Sequence, residues 1–174
     1  MDSFRLSSIL RRSLQDGLGL AKGNAMETNI LNIVTERLNA LIQLRERFQA
    51  RYDYQASEFL DGLPGLFRLF HWLTFDLDLA PEQRRKAASI AIYIAEPHDF
   101  CGESNLGVEG LIDDLWVAYT GLHQMANTIP VDLLKRHWRS EIDIFHLLDL
   151  SRNIQDIERH VPSRVLELLK TFMV

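Results

Sequence analysis

The sequence predicts an all-α protein, organised as a single-domain helical bundle with a central helical hairpin and flanking helices. Apolar residues recur mostly three and four positions apart, as they do on the buried face of a helix. No Asn-Gly or Asp-Gly turn joins two runs of alternating apolar and polar residues, so strand signals are scarce. With 174 residues and 47% hydrophobic content, the chain is long enough to bury one substantial core.

Residues 1–25 are predicted to form an amphipathic segment followed by a linker. Leu6, Leu10 and Leu14 share one stripe of a short helix. Glycines end that helix, and Lys22-Gly23-Asn24 has the composition of a linker.

Residues 26–174 are predicted to form the helical domain, which begins with a long helix from about Thr28 to Tyr52. Its apolar residues alternate three and four apart, a heptad seam that contains one arginine, Arg45. Additional isoleucines widen the apolar face, which favours burial within the bundle. The seam also allows self-association, or binding of another protein, through the 28–52 helix, and the sequence leaves both options open.

Prolines separate the helices that follow. The aromatic-rich helix after Pro64 is expected to supply much of the core. Another helix begins near Pro81, which suits a first helical turn, and ends before Pro97. The remaining helices are predicted at Gly107 to Ala126, from about Pro130, from about Glu141, and at Ser163 to Phe172.

Charge and composition narrow the class of protein. A net charge of −5 and a pI near 5.7 disfavour a general nucleic-acid binder, which is normally basic. Cys101 is the only cysteine, which indicates a reducing compartment, so we expect a cytoplasmic, soluble protein. Apolar runs fall far short of the ~20 residues that span a bilayer. The basic N-terminal helix with Arg11-Arg12 allows contact with a membrane surface, although packing on the domain is favoured.

An acidic turn follows the apolar helix that ends at Pro97. Asp99 is expected to hold the turn by accepting backbone N–H groups. A helical projection places Asp114 at the edge of the apolar arc of the next helix, where it can reach a neighbouring helix. The same projection places Asp113 opposite the centre of that arc, so we expect Asp113 to face water.

Two metal sites are alternatives to this structural interpretation. Carboxylates of Asp99, Glu103 and Asp114 would suit Mg²⁺ or Mn²⁺, although nothing in the spacing brings them to one point. The His98-Asp99 pair after an apolar helix faintly resembles HD-type metal-dependent phosphohydrolases. That resemblance implies a site built from His71, His98 and Asp99, with Asp143 or Asp149, and a metal-bound water as nucleophile.

Six residues form a pattern around the acidic turn: Tyr93, Pro97, Asp99, Gly110, Asp113 and Asp114. A tyrosine-containing apolar helix leads into a Pro-x-Asp turn, and Gly-x-x-Asp-Asp opens the next helix. This pattern resembles the YkvA-like family, a small helical domain of unknown function. The resemblance covers about residues 84–125 and implies a helical hairpin at about 82–126, without implying a reaction. Glu96 stands where the family usually has serine, and Cys101-Gly102-Glu103 stands where Ile-Pro-Asp is expected.

The function expected from these observations is a noncatalytic interaction or scaffold domain without a cofactor. One alternative is an HD-like, metal-dependent phosphohydrolase that uses the acidic turn. Another is a peripheral membrane-associated protein.

Overall fold

Helices make up most of the described chain. The computed structural model describes residues 54–96 and 111–173, together with the helical positions Glu36 and Asn39. No strand occurs in these ranges, which confirms the all-α, single-domain fold. The helices are α1 (Tyr54–Phe75), α2 (Pro81–Ala95), α3 (Ile112–Ala126), α4 (Val131–His137), α5 (Ile144–Ser151), α6 (Gln155–Glu158) and α7 (Ser163–Phe172).

Several sequence predictions lie outside the described residues. They are the amphipathic segment at 1–25, the 28–52 helix apart from Glu36 and Asn39, and the acidic turn at 97–110. Self-association through the 28–52 helix therefore stays a prediction.

Helix α1 runs without interruption through Pro64, so the expectation that a helix begins there is wrong. Proline lacks an N–H group, and its position removes the hydrogen bond to the Leu60 carbonyl four residues earlier. The neighbouring turn gains a bond from another helix, because the Tyr119 hydroxyl donates to the Phe59 carbonyl at 2.8 Å. Gly62 makes room for that hydroxyl, which a side chain at this position would overlap.

Helix α3 is the centre of the bundle. It packs against α1, α2 and α5, and also contacts α6 and α7. All residues from Leu111 to Tyr119 are buried. A helix on the surface of a domain would bury only one stripe of its residues. The core around α3 includes the aromatic-rich part of α1, as the sequence predicts: Leu66, Phe67, Leu69, Phe70 and Leu73 are fully buried.

Helix α2 has the predicted ends. It begins at Pro81 and ends at Ala95, two residues before Pro97. The Gln83 side chain accepts a hydrogen bond from the Ala80 N–H at 3.1 Å and donates one to the Thr128 carbonyl at 2.9 Å. This side chain therefore ties the start of α2 to the loop after α3. None of the described helices combines the length and apolarity needed to cross a membrane.

Candidate functional site

Two buried aspartates open helix α3. Asp113 and Asp114 are its second and third residues, and neither side chain is accessible to solvent. The Tyr93 hydroxyl, near the end of α2, donates a 2.6 Å hydrogen bond to Asp113 Oδ2. Burial of a carboxylate is costly unless hydrogen bonds replace its water, and the N-terminus of a helix also favours negative charge. Tyr93 and Asp113 thus form a polar link between α2 and α3 inside the core.

The expectation that Asp113 faces water is therefore wrong. A helical projection assumes that a helix packs on one side, whereas the first turns of α3 are buried all round. Asp114, which was expected to reach a neighbouring helix, is likewise buried.

Of the residues predicted to bind metal, the structure describes His71, Asp114, Asp143 and Asp149. Asp99, Glu103 and His98 lie outside the described ranges, so the sites that include them stay predictions. Within the described ranges, no three His, Cys, Asp or Glu side chains are close enough to hold a metal ion. His71, Asp143 and Asp149 therefore do not form such a group.

His71, Asp143 and Asp149 have separate surroundings. His71 is buried beside the rings of Trp72 and Phe75, and burial lowers the pKa of its imidazole to about 4. The Asp143 carboxylate caps α5 by accepting the Phe145 N–H at 3.1 Å. Asp149 pairs with Arg152 on the surface, 2.7 Å away.

A second polar cluster, which sequence analysis did not identify, joins the α1–α2 loop to α4. The buried Asp76 carboxylate accepts the Asp78 N–H through Oδ1 at 2.8 Å and contacts His137 Nε2 through Oδ2 at 2.6 Å. Arg136 hydrogen-bonds to Asp78 and lies 3.6 Å from Asp76. Sixty-one residues separate Asp76 from His137, and no local spacing connects them.

The pKa of Asp76 reflects opposing effects. Burial would raise it, but the hydrogen bonds from His137 and the Asp78 N–H and the charges of His137 and Arg136 lower it below the ordinary value. The carboxylate is therefore ionised at neutral pH and holds the loop against α4.

An exposed apolar surface lies beside this cluster. Trp72 on α1 is 42% exposed, Phe75 at the end of α1 is 36% exposed, and Leu77 just after the helix is 84% exposed. Arg68, four residues before Trp72, lies on the same side of α1. We call Arg68, Trp72, Phe75 and Leu77 the α1 ridge.

One end of the α1 ridge carries two arginines. Arg68 Nη1 donates to the Arg139 carbonyl at 3.0 Å, and Arg139 donates to the Trp138 carbonyl at 2.8 Å. Among the described residues neither guanidinium has an acidic partner. Trp138 covers Gly65 of α1, where an added methyl group would lie 2.6 Å from its ring. This packing fixes Arg139 beside Arg68.

The opposite end of the ridge carries the acids of the Asp76 cluster. Leu77 lies between Asp76 and Asp78 in the chain, and the side chains of Asp78 and Arg136 are each more than half exposed. The ridge thus runs from two arginines, past an apolar middle, to a group of two carboxylates with one arginine and one histidine.

These features define the class as an all-α bundle with a buried Tyr–Asp link and an exposed aromatic ridge. The sequence is similar to that of an uncharacterized protein, ORF9, of Methanothermobacter thermautotrophicus. It is 26% identical over 113 residues, which cover 65% of this chain and 77% of the archaeal protein. No family model matches the chain, and no solved structure matches it.

Proposed function

We propose that this chain is a noncatalytic interaction domain with a scaffold role, and that the α1 ridge is its binding surface. The observation that carries the proposal is the joint exposure of Trp72, Phe75 and Leu77 beside arginines without acidic partners among the described residues. Clustered apolar exposure on a folded domain marks interaction sites. Trp and Arg are also enriched among the residues that contribute most to binding energy.

Asp113 supports the same proposal, because its position in the core is explained by helix packing and does not require a catalytic role. Its hydrogen bond from Tyr93 joins α2 to α3 at the base of the hairpin. Tyr93 and Asp113 are both positions of the YkvA-like pattern, so we also propose that the hairpin is a YkvA-like module. The single cysteine supports a cytoplasmic setting for this domain.

Photo-crosslinking in the host cell tests the proposed surface. A photoreactive amino acid replaces Trp72 in one variant and Leu168, an equally exposed residue of α7, in a control variant. We expect a discrete protein adduct from position 72 and a much weaker one, or none, from position 168. Equal or absent crosslinking from both positions would contradict the assignment of the ridge.

Thermal melting with divalent metal tests the catalytic alternative. An interaction domain should melt at the same temperature with and without millimolar Mg²⁺ or Mn²⁺. If metal raises the melting temperature and Asp99→Asn abolishes the rise, linkage between binding and unfolding would favour a metal site in the acidic turn. Such a result would replace the interaction proposal with the metal-dependent hydrolase.

A further inference from the structure

We draw no further inference here: the strongest candidate, the exposed apolar patch of Trp72, Phe75 and Leu77 at the end of α1, carries none, because nothing in the described part of the chain shows what covers it.

Discussion

The Tyr93–Asp113 hydrogen bond should contribute measurably to stability. Tyr93→Phe keeps the ring and its contact with Phe172 and removes only the hydroxyl that donates to the buried carboxylate. A typical hydrogen bond contributes about 0.5 to 1.5 kcal/mol net, and removing a donor from a buried acceptor adds part of a desolvation cost of about 1 to 3 kcal/mol. We therefore expect a loss of about 2 kcal/mol, or roughly 4 to 8 °C in melting temperature for a chain of this length.

Urea denaturation at neutral pH, followed by circular dichroism, measures this loss. The midpoint should fall while the dependence on urea concentration stays constant, because the fold is unchanged. Thr171→Val is the matched control, since its exposed hydroxyl donates to the Glu167 carbonyl within a single helix. We expect the control to change stability by less than about 0.5 kcal/mol. Equal effects of the two substitutions would refute the structural role of the buried link.

Two further substitutions test the packing and electrostatics of α1. Gly62→Ala would overlap the Tyr119 hydroxyl and cost about 1 to 3 kcal/mol; combining it with Tyr119→Phe should recover part of that loss, and strict additivity in a denaturation cycle would contradict the proposed contact. His71→Phe should weaken the pH dependence of stability. The neutral histidine contributes stability that is fully present above its unfolded pKa of 6.5 and is lost as pH falls toward the folded pKa of about 4. That difference is worth about 2.5 kcal/mol at about pH 4.5, so identical pH profiles for wild type and variant would refute it.

Helix boundaries were predictable where local chemistry decides them. Pro81 and Pro97 mark the ends of α2 because proline suits the first turn and restricts the residue before it. Pro64 gives the same signal inside α1, where the surrounding core outweighs the loss of one hydrogen bond. Local propensity alone cannot distinguish these cases, because it does not include the packing of α1 against the other helices.

The candidate site was predictable only in part. The YkvA-like pattern includes Tyr93 and Asp113, but their contact depends on how α2 and α3 pack, and the projection of α3 alone placed Asp113 in water. The Asp76–His137 contact joins residues far apart in the chain and has no local signal. The ridge, in contrast, was predictable from the spacing of residues within α1. Arg68, Trp72 and Phe75 follow each other at intervals of four and three residues, which places them on one side of the helix. Phe67 and Phe70 lie on a different side.

Hydroxyl-radical footprinting tests most directly the claim that the α1 ridge is the binding surface. It compares side-chain oxidation in dilute purified protein with oxidation inside the host cell. We predict that Trp72, Phe75 and Leu77 are protected in the cell, whereas the exposed Phe145 and Leu168 are oxidised equally in both settings. Equal oxidation of the ridge in both settings, or protection confined to Phe145 and Leu168, would contradict it.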